Sequence, residues 1–331
     1  MIGNVSKLKK ISEMSLSEIR ERGRQKLAIL GERAFRLTTE EISDESLFRS
    51  FASDSRDGTD KGTAALVHER IRASVTVRDS RPAFFPSLSH RKEAVAMIEH
   101  RFPSEREAVI DRAERAIRGE FDLLGLKRLS FGDPIDWRLE PTTGKRTPLD
   151  HWSRIDYLDP EVAGDKKVTW ELNRHRHFVT FGQAYWLTGD ERYADAFVSQ
   201  ATSWMDSNPP NRGINWASSL EVALRSIAWL WTWHLLAGSE RLNGRFVTRM
   251  LKHLVAHGRH IEIYLSHYFS PNTHLTGEAL GLFYLGTCLP ELAGARRWRE
   301  TGLRILLEQL PLHVRADGVY FEQASYYHRY T

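Results

Sequence analysis

From Trp170 to Val314 the sequence reads as amphipathic helices joined by short turns, and this alternation limits the fold more than any other feature. Helical spacing runs from Arg174 to Leu187 and stops at Thr188-Gly189, where glycine suits a left-handed C-terminal residue. Asp190 is placed to cap a second helix, Glu191 to Met205, with Tyr193, Ala196, Phe197, Gln200 and Trp204 on one face. A second pair is expected from Trp216 to Leu236 and, past Gly238, from Asn243 to His267. A third runs from Thr273 to Leu289 and, past Pro290, from Ala295 to Val314. Three hairpins of roughly 40 residues, apolar on both members, predict stacked helical pairs curling into a solenoid or toroid. The fold class is therefore all-α, with strand signals nearly absent.

Upstream, Ser104 and Glu107 form a capping-box pattern ahead of Val109, Ile110, Ala113 and Ile117, which predicts a helix over 104–121. The following segment, through Trp137 and Trp152, is rich in proline and lacks a sustained period, so it reads as a long structured loop. Residues 1–103 read as a peripheral layer of helix and loop, and 104–331 as the toroid.

Composition narrows the function. The chain has 47 basic and 43 acidic residues, net +4, without the Lys/Arg blocks of a nucleic-acid binder. A single cysteine, Cys288, excludes an intrachain disulfide and a cysteine-rich zinc site. No window reaches the roughly 18 apolar residues needed to span a bilayer, and MIGNVSKLKKISEMSLSEIR lacks the apolar stretch of a cleavable signal. Nine of the ten tryptophans fall between 137 and 233, and ten of the fourteen histidines lie from His175 onward. Any chemistry is expected in the second half.

Four clusters carry the candidate chemistry: WELNRHRHF (170–178), NRGINWASSLEVALR (211–225), SPNTHLTGE (270–278) and DGVYFEQASYYHRY (317–330). In the first, Glu171, Asn173, Arg174, His175 and His177 gather donors suited to an anionic, hydroxyl-rich ligand, or simply cap a helix. In the second, Glu221 and Arg225 have the spacing of an intrahelical ion pair. Trp216 beside Asn215 reads either as a platform for a sugar ring or as core. In the third, Asn272 is either a plain N-cap or an amide that donates to a carboxylate at a helix entry, with His274 two residues on. The fourth, with Glu322, Gln323, Tyr327 and His328, is poor core, and a tyrosine flanked by His and Arg can serve as a base. His253, His257 and His260 share one helix face at metal-compatible spacing, but no HExxH glutamate accompanies them, so they read as a solvated or pore-facing stripe. No metal or other cofactor is expected.

Taken in order, WELNRH, GINWASSLEVALR, SPNTHLTGE and YFEQASYYHRY resemble the heparinase II/III-like polysaccharide lyases, which are related to alginate and oligoalginate lyases. The resemblance covers residue 120 to the end. It implies an (α/α) toroid followed by a C-terminal β-sandwich that this chain lacks, so the chain is expected to be truncated before that domain. It also implies cleavage of a uronate-containing anionic polysaccharide by β-elimination, at a periplasmic or cell-envelope location. By the resemblance, Asn272 neutralises the uronate carboxylate, Tyr327 acts as acid and base, and His274 is a second donor. Glu171, Asn173, Arg174, His175, His177 and Trp216 would bind the sugar chain, and Glu322, Gln323 and His328 would orient Tyr327. Two other classes stay open: an (α/α)-toroid glycoside hydrolase, drawing its two carboxylates from Glu171, Glu221, Glu278, Asp317 and Glu322, and a non-catalytic polysaccharide-binding domain.

Overall fold

The computed structural model describes residues 14–35, 42–51, 85 and 90–322. Its helices are α1 Leu16–Phe35, α2 Asp44–Phe51, α3 Arg91–Arg101 and α4 Pro103–Ile117, followed after a β-containing segment by α5 Pro160–Ala163 and α6 Lys166–Asn173. Then come α7 Arg176–Thr188, α8 Arg192–Ser207, α9 Ser219–Leu235, α10 Gly244–Ile263, α11 Thr273–Cys288 and α12 Ala295–His313. The three expected hairpins are thus α7–α8, α9–α10 and α11–α12.

The odd-numbered members form the inner layer. Helix α9 packs along α7 on one side and α11 on the other, while α8, α10 and α12 pack from outside. Burial agrees: 14 of the 17 residues of α9 are buried, as expected for a helix surrounded on all sides rather than lying on a surface. The approach of α9 to α11 is close because Gly281 faces Ala223; a Cβ at Gly281 would lie 2.6 Å from the Ala223 Cβ. This double layer of hairpins is an (α/α) toroid. Among the described residues no helix is long and apolar enough to cross a membrane.

Several local expectations hold, and others change. Gly189 ends α7 with φ 73°, the left-handed C-terminal residue that the sequence called for. Helix α4 starts at Pro103 and ends at Ile117, four residues short of the expected 121. The capping box does not form, because Pro103 takes the first helical position and the Ser104 hydroxyl turns to Glu105 instead. Past α4 the chain forms two small antiparallel hairpins, Glu120–Leu123 (β1) with Leu126–Ser130 (β2) and Leu139–Glu140 (β3) with Lys145–Arg146 (β4). The helix expected from Arg174 is broken at His175, whose φ of 59° ends α6 and redirects the chain into α7.

The core is aromatic. Trp137, Trp204, Trp216, Trp229 and Trp298 are fully buried, and truncation of one such ring costs about 3–5 kcal/mol. The imidazoles of His253, His257 and His260 belong to this core and not to solvent: the His257 ring lies 5.2 Å from Trp216 and 5.5 Å from Trp229. Burial holds His257 well below the ordinary imidazole range and His260 at about 3, so both are neutral at physiological pH. The stripe is therefore a set of polar-edged aromatic plugs, which corrects its reading as a solvated face.

Candidate active site

The third cluster and the described part of the fourth, 317–322, meet at the N-terminus of α11, and the first and second meet on Arg174. Asn272 is the N-cap of that helix: its Oδ1 accepts from the His274 backbone N–H at 3.1 Å and from the Ser270 hydroxyl at 2.8 Å. Those two bonds fix the orientation of the amide. Its nitrogen must face the opposite way, and there Nδ2 donates to Glu322 Oε1 at 2.8 Å. The capping role and the donor role read from sequence are thus compatible, since each uses a different end of one amide.

Glu322 reaches Asn272 through a turn after α12. Val314 and Tyr320 form an isolated antiparallel bridge, the Arg315 N–H donates to the Val319 carbonyl, and Gly318 sits at φ 82°. The returning segment is pinned by a 2.7 Å bond between the Tyr320 and Thr273 hydroxyls, and the end of α12 is held by His313 Nε2 near the Pro271 carbonyl at 3.2 Å. Two contacts, on Asn272 and Thr273, therefore bring the described part of the fourth cluster onto the third.

The first and second clusters meet on Arg174. Its guanidinium donates to both oxygens of Glu221, at 2.7 and 2.9 Å, and to Glu171 Oε2 at 2.6 Å. Glu171 is also approached by Arg176 at 3.3 Å. Glu221, nearly buried in the first turn of α9, spends its carboxylate across the interface to α6 rather than on Arg225. Arg174 thus ties the end of α6 to the start of α9. Burial lowers the pKa of His274, opposed by Glu221 and Glu322 and reinforced by Arg174. Charged residues of the first, second and fourth clusters therefore act on this half-buried imidazole of the third.

Other expected ligand contacts lie inside. Asn173 is saturated: its Nδ2 donates to the carbonyls of Trp137 and Thr169, and its Oδ1 accepts from Trp204 Nε1 at 2.8 Å. His175 is fully buried, accepts from Trp229 Nε1 at 2.8 Å, and is kept neutral by its burial. His177 faces Gln200 at 3.2 Å, and burial takes its pKa to about 3. Trp216 is fully buried against His257 and His260, so it is core and offers no face to a sugar. The direct sugar-binding role expected of Asn173, His175 and Trp216 is corrected to one of support. His177 keeps an edge on a cavity of about 210 Å³ that it lines together with Glu171, Arg176, Arg112 and Arg115. Gln323, Tyr327 and His328 lie outside the described residues.

Arg225, expected to pair with Glu221, is instead fully buried away from that carboxylate's hydrogen bonds. Its guanidinium stands 4.5 Å over the Trp204 ring and donates to the carbonyls of Asn173 and Asn215 at 3.2 and 3.0 Å. Burial brings its pKa down to about 9, which leaves it charged at neutral pH. The signal available in sequence was the i,i+4 spacing to Glu221, and it pointed to the wrong partner. Glu278 was also overlooked as a structural group: fully buried, it accepts from the Ser266 N–H and hydroxyl, both at 2.7 Å, and so tethers the loop that leads into Asn272. Among the described residues no group of three or more His, Cys, Asp or Glu side chains is arranged to hold a metal ion.

The chain has known relatives. The heparinase II/III N-terminus family model matches residues 67–331. A heparin-sulfate lyase of Bacteroides stercoris is 24% identical over 294 residues, covering 82% of this chain and 38% of the relative. One of Pedobacter heparinus is 30% identical over 224 residues, covering 66% of this chain and 30% of the relative. The crystal structure of heparinase III superposes with a TM-score of 0.57 at 20% identity, covering 78% of this chain and 36% of that one. The structure of the heparan sulfate lyase from Pedobacter heparinus gives 0.52 at 21%, with the same shares. The chain spans less than two fifths of the length of these relatives, and the structural likeness concerns the fold. With four-fifths of its residues inside the family match and its helical hairpins in the same arrangement, this chain belongs to the heparinase II/III N-terminus family.

Proposed function

We propose that this chain is the helical part of a polysaccharide lyase that cleaves a uronate-containing anionic polysaccharide by β-elimination. The observation that carries the reading is the Asn272 amide, locked by its cap bonds so that its nitrogen points at a carboxylate. In elimination the C5 proton is acidic only when the adjacent carboxylate is neutralised. A fixed donor at that group stabilises the charge that builds up as the proton leaves, a contribution of the oxyanion-hole kind. The C5–H bond then breaks, its electron pair forms the C4–C5 double bond, and the C4–O bond cleaves with protonation of the leaving oxygen.

In this reading Asn272 neutralises the carboxylate. Tyr327 withdraws the C5 proton or protonates the leaving oxygen, according to the stereochemistry of the uronate. His274, held below its usual pKa by burial, presents a neutral imidazole as a second donor. Arg174, locked between Glu171 and Glu221, shapes the wall of the site. Residues 1–103 form a peripheral region and 104–331 the catalytic unit, and a C-terminal β-sandwich would work with it in cis.

A glycoside hydrolase would need two free carboxylates across the bond. Here Glu171 and Glu221 are spent on Arg174, Glu278 is buried on Ser266 and Glu322 accepts from Asn272, which leaves only Asp317 of the five candidate carboxylates and disfavours that reading. The test is an ultraviolet screen of the protein as encoded against a panel of uronate polymers, with heparin-type chains first because the matched relatives carry that name. An unsaturated, ultraviolet-absorbing product from at least one polymer supports a lyase. Saturated reducing ends would mean hydrolysis, and binding without cleavage would mean a binding domain.

A further inference from the structure

Asn272 already holds a carboxylate, that of the chain's own Glu322. Two features make this contact specific. The Ser270 hydroxyl and the His274 N–H occupy the amide oxygen, so the nitrogen cannot turn away. The backbone that carries Glu322 is fixed by the Tyr320–Thr273 bond and by the Phe321 N–H on the His313 carbonyl at 2.8 Å, so its carboxylate is delivered at a set height. A second carboxylate on the same nitrogen would sit within a few ångströms of Glu322, where like charges repel strongly.

We propose that Glu322 is a built-in occupant of the Asn272 carboxylate point, a specificity-setting residue that an acidic ligand must displace to bind. The inference rests on reading Asn272 as the group that receives the uronate carboxylate. Displacement requires only that the Glu322 side chain, which is half-buried, rotate on its fixed backbone. Neutral sugars do not replace the carboxylate on Asn272 and gain nothing by competing for it. Acidic ligands bind with an apparent affinity reduced by the fraction of time the contact is open, so a contact closed about nine-tenths of the time weakens binding about tenfold.

The test is equilibrium binding, by calorimetry, of an unsulfated glucuronate-containing oligosaccharide and of the same oligosaccharide with its carboxylates reduced to alcohols. The proteins are wild type, Glu322→Ala, Glu322→Gln and the double variant Asn272→Ala/Glu322→Ala. The expected result is acidic binding about tenfold tighter in Glu322→Ala, with a smaller gain in Glu322→Gln, whose amide oxygen can still accept from Asn272. The reduced probe should show no gain, and the double variant should lose it. Wild-type or weaker acidic binding in both single variants would overturn the proposal, as would an equal gain with the reduced probe or binding to none of the four proteins. Tighter acidic binding without elimination on any polymer would leave the occupant role standing and remove the lyase reading. Elimination with unchanged binding in the Glu322 variants would do the reverse.

Discussion

Replacing Arg174 by alanine should destabilise the chain far more than loss of a surface ion pair. The guanidinium bridges two carboxylates whose side chains are only 9% and 4% exposed, with a bidentate contact on Glu221, and is itself 16% exposed. Removing it leaves Glu171 and Glu221 facing each other with little solvent, and breaking a buried pair from one side costs about 3–5 kcal/mol. An exposed pair costs about 0–1 kcal/mol. With an unfolding entropy of about 2.1 cal/mol/K per residue, a chain of 331 residues changes by about 0.7 kcal/mol per degree at its midpoint, so Tm should fall by about 4–7 °C. Differential scanning calorimetry at neutral pH reads this directly. Arg174→Met/Glu221→Gln, which removes the charge on both sides, should recover part of the loss, giving a coupling of the size expected for residues in contact. A Tm drop below about 1.5 °C for Arg174→Ala, or strict additivity in the double variant, would refute the description of Arg174 as a strut joining α6 to α9.

Two further outcomes follow from the packing around the site. Glu278 has its pKa pushed up to about 8 by burial, against the opposing bonds from Ser266. The folded protein therefore binds this proton more tightly than the unfolded chain, and the associated stability is fully present below the unfolded pKa and lost as pH rises toward 8. The stability of Glu278→Gln relative to wild type, followed by urea denaturation, should rise from pH 5 to pH 8; a flat difference would contradict the assignment. Gly281→Ala should cost about 1–3 kcal/mol, because the new Cβ would lie 2.6 Å from the Ala223 Cβ and 2.9 Å from its Cα, forcing α9 and α11 apart. A neutral effect on the denaturation midpoint would mean that the two inner helices are less tightly apposed.

The helical hairpins were legible because each carries its own punctuation: Gly189 at the end of α7, Asn243 capping α10 with its Oδ1 on the Phe246 N–H at 3.0 Å, and Asn272 capping α11. Such signals are local and survive without knowledge of the fold. The two β-hairpins were not legible. Their strands are two to five residues long and mostly polar, as in LKRLS, so alternation had no length in which to register.

At the site, residue types identified the clusters but not the partners. Spacing alone paired Glu221 with Arg225, whereas tertiary packing turned Glu221 toward Arg174 and left Arg225 on carbonyls and on Trp204. The histidines of α10 looked like solvent-facing groups because histidine is amphipathic, and only the surrounding tryptophans decide that they are core, with His257 and His260 held neutral by burial. For Asn272, both sequence readings were sound, and the structure shows that they describe opposite ends of one side chain.

The most direct measurement of the central claim is elimination by Asn272→Asp in the protein as encoded, on whichever uronate polymer the wild type cleaves. Aspartate keeps an oxygen for the His274 N–H, so the cap is retained, while the donor to the substrate carboxylate becomes a negative charge that also repels Glu322. The account predicts a folded protein with a lowered Tm and turnover reduced by at least about 10²–10³-fold, the loss typical of removing one such donor. Wild-type turnover in this variant would contradict the role given to Asn272, and with it the proposed site.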